Sequence, residues 1–447
     1  MSTKSRARKA RQLETEPGAA RSFAAPEYLA WLIVLALLLV TALIFDSTAK
    51  DAFRLPKTLA GQSLALLSLF FLSFEWGDRV PWRRLVEAPA ARALLPLAFV
   101  ATLTALFSPH GAHVERGLIG LWIGVLAVWG WSASFTTARL RASLTALLVP
   151  AALLAGVAIL QYHDLWQPFR FQRLQAASRL AVTSFAGNVG DLAAYLVLPA
   201  LVAQGILARS GRRLHPLATA SLVLSLYGLT VTQTFAALAA LAVGSLTFWT
   251  LMLPRGRRWL ASGVALGLVA GVLLVAAPLR ERALEKASQL RAGELNSVLT
   301  GRLDGWRAAL WMTAEHPLAG VGLGAFRAEY AKAKADLLAH GKVFDRAQPY
   351  AIFADAHNEL LQIGAECGAA GLLAFGWAVW VAVVRLRSRW REKPDVRGAG
   401  QADAALAWGV AAAIALLALS NFPFRAALVG YPLALFAAWL FAVEDKS

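Results

Sequence analysis

The sequence predicts an all-α polytopic membrane protein that crosses the bilayer about twelve times, with one large helical loop on its outer side. Three observations lead there. Of 447 residues, 58% are hydrophobic and only 16% charged, with a mean hydropathy of +0.55; a soluble chain carries about a quarter charged residues. The apolar residues come in nearly uncharged blocks, such as 28–45, 263–277 and 372–384, rather than in amphipathic stripes. Lipid offers backbone groups no water partner, so blocks of this length must be helices. The third observation is the placement of Lys and Arg.

Residues 1–26 form a basic tail (Lys4, Arg6, Arg8, Lys9, Arg11, Arg21) expected in the cytoplasm. It lies too far from the first apolar run for a cleaved signal and lacks a small-residue cleavage site, so 28–45 reads as an uncleaved first span. Nine spans are expected over 27–278, near 27–46, 58–75, 91–108, 117–136, 142–160, 187–207, 216–232, 234–253 and 259–278. The polar Thr232–Gln233–Thr234 separates the seventh from the eighth. Residues 279–356 form the large outer loop, and 357–443 supply three more spans near 357–384, 403–420 and 425–443. An even number of spans returns 444–447 to the cytoplasm.

The formal net charge of +17 suits nucleic acid, an anionic membrane surface or an anionic substrate. Position separates these. The connections expected inside carry Arg79, Arg83 and Arg84; Arg139 and Arg141; Arg209, Arg212 and Arg213; Arg255, Arg257 and Arg258; and the run from Arg385 to Arg397. This is the positive-inside bias, which leaves nucleic-acid binding without support. Three outer segments depart from it: the loop after the first span (Lys50, Arg54, Lys57), residues 162–188 (Arg170, Arg173, Arg179), and the long loop, with cations including Arg280, Arg282, Lys286, Arg302, Arg307 and Arg327. Long loops translocate largely regardless of charge, so the topology stands. Within that loop Leu303, Trp306, Leu310, Trp311 and Ala314 recur at helical spacing, which predicts helices lying over the bundle mouth. The single cysteine, Cys367, rules out a disulfide framework or thiolate cluster and reads as a core residue.

Three segments carry groups suited to chemistry. In 297–326, Arg302 and Arg307 flank Trp306, and Gly320, Gly322 and Gly324 make a flexible turn before Phe326. In 355–371, Asp355, His357, Asn358, Glu359 and Gln362 gather where the tenth span begins. His357 and Asn358 are expected in its first helical turn, with Asp355 a possible cap. The positive end of the helix dipole disfavours imidazolium there, leaving a neutral base suited to proton abstraction. In 178–195, Arg179, Asn188 and Asp191 lie at the mouth of the sixth span, where ionisable groups are costly and default to function; a structural ion pair of Asp191 is the alternative. His110, His113, His163, His215 and His340 read as loop residues without evident partners, and no pair has metal-ligand spacing.

The order of these motifs resembles the O-antigen ligase and O-antigen polymerase superfamily, which includes bacterial oligosaccharyltransferases. The matching residues are Gly301–Arg302 and Trp306, then Glu315–His316–Pro317–Leu318 through Phe326, then His357–Asn358, Leu361–Gln362, Glu366, Gly368 and Gly371. Two positions depart from the family pattern: Gly187–Asn188–Val189–Gly190 stands for G-N-P-N, and Thr232–Gln233–Thr234–Phe235 stands where many relatives carry T-x-S-R-G. One anion contact is therefore expected from elsewhere in the chain.

The resemblance implies a GT-C-like glycosyltransferase of the bacterial inner membrane, with its site facing the periplasm. Its donor would be an undecaprenyl-diphosphate-linked glycan and its acceptor a lipid A–core sugar hydroxyl, without cofactor or metal. His357 would deprotonate or orient the acceptor, and Arg302 and Arg179 would bind the diphosphate. Asn358, Arg327, Asn188, Trp306 and Glu359 are further candidates for substrate contacts. Polymerisation of O-units and transfer to protein are the alternatives within the family. The absence of a large additional C-terminal domain favours the ligase. An anionic-substrate transporter is the rival of another class, but transporters place polar groups near the midplane in repeated halves, whereas here they gather at one edge.

Overall fold

The computed structural model describes residues 25–49, 51–78, 80–169, 179–210, 215–260, 263, 276–341, 353–391 and 399–442. Among these, eight helices are long and apolar enough to span a membrane, and three shorter apolar helices accompany them. The first is α1 (Ala25–Leu43), followed by α2 (Arg54–Ser73), α3 (Pro89–Ala105) and α4 (Gly111–Ser134). After these come α5 (Thr137–Tyr162), α6 (Val189–Ser210), α7 (Pro216–Thr232) and α8 (Phe235–Met252). The predicted break at Thr232–Thr234 is real: Gln233 turns the chain with a φ of +49°. The expected ninth span, 259–278, lies mostly outside the described residues. The family of apolar helices closes with α12 (Glu359–Arg391), α13 (Ala399–Ala418) and α14 (Ala427–Phe441). The chain is an all-α polytopic membrane protein.

The long loop is helical, as its periodicity predicts, with α9 (Ala277–Arg291), α10 (Arg302–Glu315) and α11 (Phe326–Ala339). The buried face of α10 is not the expected stripe. Asp304, Gly305, Ala308, Ala309 and Met312 turn inward while Leu310 stays exposed. Gly305 lets the Ala356 backbone approach, while Ala308, Ala309 and Met312 join a buried apolar cluster with Phe326 and Tyr330.

The core centres on α6, where 89% of the apolar window is buried. Helices α5, α7, α8 and α13 pack around it, α1 pairs with α2, and α12 pairs with α3. Lipid tails supply no hydrophobic drive between helices, so association relies on close packing through small residues. The α8–α13 seam shows this. A Cβ at Gly409 would lie 2.7 Å from the carbonyl oxygen of Gly244, and one at Gly244 would lie 2.8 Å from that of Gly409. Charged groups at the bundle ends are neutralised locally. Asp403 accepts from Arg141 at 2.5 Å and also pairs with Arg209, while Arg139 pairs with Glu27.

Because the obstacle at Gly409 is backbone, it cannot rotate away. Gly409→Leu is expected to cost about 2 kcal/mol or more, in the range of overpacked cores, and to lower the thermal midpoint in detergent. An unchanged midpoint would show that the seam is not a close contact.

Candidate functional site

The site begins with a kink. Inside α12, Gly368 adopts φ +61° and ψ −159°, which interrupts the helical ladder and frees carbonyls. The segment after α10 fills the gap. Val321 and Gly322 donate to the Ala365 and Glu366 carbonyls at 2.8 Å each, and Ala369 and Ala370 donate to Pro317 and Leu318. This is why the Pro-Leu-Ala-Gly-Val-Gly run and the Glu-x-Gly run occur together: each satisfies the other's buried backbone groups. Gly320 has a φ of +67°, and a Cβ there would sit 2.3 Å from the Glu366 carbonyl carbon. The glycine turn is a docked wedge, not the flexible hinge its composition suggests.

Glu366 also anchors the segment that carries His357. Its carboxylate takes two hydrogen bonds from Arg425, at 3.3 and 2.7 Å, and one from Gln362 Nε2 at 2.8 Å. Gln362 Oε1 in turn accepts from the Ala356 N–H at 2.5 Å. Glu359 is buried, lies 3.5 Å from Arg425 and accepts from the Phe424 N–H, so its carboxylate is engaged inside the protein.

His357 does not lie in the first helical turn. It precedes α12 with a φ of +55°, a strained value for a side-chain-bearing residue. The cap is Asn358 rather than Asp355. Its Oδ1 accepts from the Leu361 N–H and its Nδ2 donates to the Leu419 carbonyl, so both ends of the amide fasten the turn. His357 Nδ1 lies 3.0 Å from the Asp355 carbonyl oxygen. A carbonyl only accepts, so that contact requires Nδ1–H and leaves the Nε2 lone pair free. Burial, the Arg302 charge and, more weakly, Arg54 bring the imidazole down to about 4 from 6.5, against the opposing pull of the Asp355 carbonyl. The neutral form expected from the helix dipole is present, but burial and arginines are its cause.

Arg302 reaches His357 because α10 begins on a left-handed Gly301 and because Gly305 lets the Ala356 backbone approach. It belongs to a cationic cluster built from three segments. Arg179, on the short turn Arg179–Ala181, is lowered to about 10 by burial and by Arg282 and Arg302. Arg302 and Lys286 are lowered by burial and by Arg282. Arg282, on α9, is the member sequence reading did not single out. Its guanidinium carbon lies 5.6 Å over the Phe235 ring. Its Nη1 is buried with no hydrogen-bond partner among the described residues, and so is Trp306 Nε1, one turn along α10 from Arg302. Arg327 is exposed at the start of α11, and no described contact ties it to this cluster. The cluster's like charges disfavour one another, and Glu285 offsets part of that cost.

On another side of His357 lies a cavity of about 350 Å³, lined among others by Asp51, Arg54, Asn188, Asp355 and Phe422. Arg54 donates to both oxygens of buried Asp191, at 3.1 and 3.3 Å, and sits 4.9 Å over the Phe422 ring, whose edge meets His357 at 5.0 Å between centroids. Asp191 therefore pairs structurally, and with Arg54 rather than Arg179. Lys57, one turn along α2, is buried and donates to the Ala42 and Ile44 carbonyls, fastening the end of α1 below this wall. Four histidines read as partnerless have partners: His110 meets Glu329 at 2.7 Å, His163 lies 2.5 Å from the Tyr227 hydroxyl, His215 caps α7, and His340 Nδ1 lies 2.8 Å from the Asp336 carbonyl. Among the described residues no His, Cys, Asp or Glu cluster could hold a metal.

Comparison with protein families matches residues 220–376, roughly a third of the chain, to the family described as O-antigen ligase. The matched segment holds α10, the docked wedge and the His357 turn. The match supports the O-antigen ligase and polymerase superfamily and glycan transfer by a membrane enzyme in general. Comparison with curated proteins finds no match.

A Cβ on Gly320 has only backbone to push against. Gly320→Ala is expected to undock 317–322, raising amide hydrogen exchange there and around Gly368 while the α8–α13 seam stays protected. Unchanged exchange in 317–322 would refute the wedge.

Proposed function

We propose that this member of the O-antigen ligase and polymerase superfamily moves a glycan from undecaprenyl diphosphate to a sugar hydroxyl of lipid A–core, at the periplasmic face of the inner membrane. The observation that carries the reading is the grouping of Arg179 and Arg282 with Arg302, whose charge acts on a histidine that holds its proton on Nδ1 and so offers Nε2 as the base. The acceptor oxygen attacks the anomeric carbon, its proton passes to His357 Nε2, and the sugar–phosphate bond breaks to release polyprenyl diphosphate. The arginines hold that leaving group and stabilise the charge it gains as the bond breaks. The Trp306 indole N–H, unpartnered among the described residues, is a further donor for a phosphate or sugar oxygen. The donor also tunes the base. The arginines depress the imidazole, so a diphosphate seated among them offsets part of that effect and raises its basicity when donor is bound. No residue in this scheme requires a metal.

In proteoliposomes holding donor and acceptor, His357→Ala is expected to slow transfer at least a hundredfold or so, the usual worth of a general base. Arg302→Lys keeps the charge but loses the fork and is expected to cost about ten- to a hundredfold, seen chiefly in donor dependence. Full transfer by His357→Ala would remove the base from the scheme.

The pH profile offers an independent check. The base works only when neutral, so activity falls as pH drops through its pKa. For kcat/KM, which reports the free enzyme, the acid limb is expected near 4 rather than at the ordinary 6.5. For kcat, which reports the donor complex, it is expected to lie higher. Coincident limbs at 6.5 would contradict this electrostatic account.

A further inference from the structure

The cavity beside His357 is chemically unlike the arginine cluster. None of Arg179, Arg282 or Arg302 lines it, and its own arginine, Arg54, is already taken by Asp191 on one side and Phe422 on the other. What remains open is acceptor-rich. The Asp355 carboxylate makes no described hydrogen bond or ion pair, although its main-chain carbonyl holds His357. Asp51 spends Oδ1 on the Phe53 and Arg54 N–H groups. Asn188 spends Oδ1 on the Gly190 and Asp191 N–H groups, leaving its amide N–H₂ pointed at no described partner. Phe422 supplies an apolar wall.

Two carboxylates, one amide donor and an aromatic wall suit a polyol. Sugar hydroxyls donate to carboxylates and accept from amides, and the C–H faces of the ring pack on aromatic surface. The same lining repels a phosphate, because Asp51 and Asp355 exceed the one compensated arginine. At about 350 Å³ the cavity falls within the range of small-ligand sites, with His357 in its wall.

Resting on the transferase reading above, we infer that this cavity is the acceptor subsite. It takes an uncharged sugar residue, and Asp355 accepts a hydrogen bond from a hydroxyl neighbouring the one that reacts. Asp355 is then a specificity residue on the acceptor side of His357, as the arginines are on the donor side. The diphosphate is kept from the wrong side by charge.

The test is a two-substrate kinetic analysis of the full chain in proteoliposomes, with polyprenyl-diphosphate glycan as donor and rough lipopolysaccharide as acceptor. Asp355→Asn is expected to raise the acceptor KM about tenfold, the order a hydrogen bond to a charged group supplies, while the donor KM stays within about twofold of wild type. Asp355→Glu should recover part of the loss. Phe422→Leu, which leaves the charges intact, should give the same split and covers the case in which Asp355→Asn folds poorly. An unchanged acceptor KM in both Asp355→Asn and Phe422→Leu, or a rise confined to the donor KM, overturns the assignment. That failure is separable from failure of the transferase reading, in which the wild-type chain itself forms no covalent product.

Discussion

The carboxylate of Glu366 is buried in α12 and meets Arg425 through two hydrogen bonds, and much of the site's geometry depends on that pair. Removing two such charges from water is expensive, and breaking one partner away from the other costs several kcal/mol. Glu366 offsets its cost with further bonds. Its side chain holds Gln362, which holds the Ala356 N–H next to His357, and its main-chain carbonyl receives Gly322 from the wedge. One residue thus fixes the strained histidine turn and the loop that follows α10. Polar networks of this kind strengthen cooperatively; here Arg425 Nε makes no hydrogen bond among the described residues but faces the Glu359 carboxylate at 3.5 Å.

The rigidity has a chemical use. A histidine at positive φ and an assembly of like-charged arginines are both unfavourable by themselves, and such strain persists only where the surroundings over-determine it. Here α12, the wedge and α10 supply that constraint. On the proposed reading, the arginines gain from an anion that lies between them. The histidine separates two electrostatic environments, one rich in cations and one lined by carboxylates.

Much of the architecture was legible in the sequence because lipid imposes a harsh rule: an apolar block of the right length has no alternative to a helix. The eleven described apolar helices fall where the blocks predicted, including the pair divided at Gln233. The site was legible in part. Arg302, Arg179 and His357 stood out by motif, and the electrostatics couple Arg302 to both of the others. Arg282 did not stand out, since nothing in an ordinary amphipathic run such as Arg-Glu-Arg-Ala-Leu-Glu-Lys marks one cation as facing Phe235. Arg54 and Asp355 were named, as a loop cation and as a possible helix cap, but not as walls of one cavity. Arg54 is held by Asp191, 137 residues away, and the cavity joins segments far apart in the chain, so neither role has a local signature. The buried face of α10 was misjudged because periodicity registers large apolar residues, whereas this helix turns mostly small ones inward.

The most direct test of the account is an experimental structure of the full chain in lipid with undecaprenyl diphosphate bound. The diphosphate should lie within hydrogen-bond distance of Arg179, Arg282 and Arg302, on the side of His357 away from Asp355. A diphosphate seated instead against Asp51 and Asp355, or bound away from His357 altogether, would contradict it.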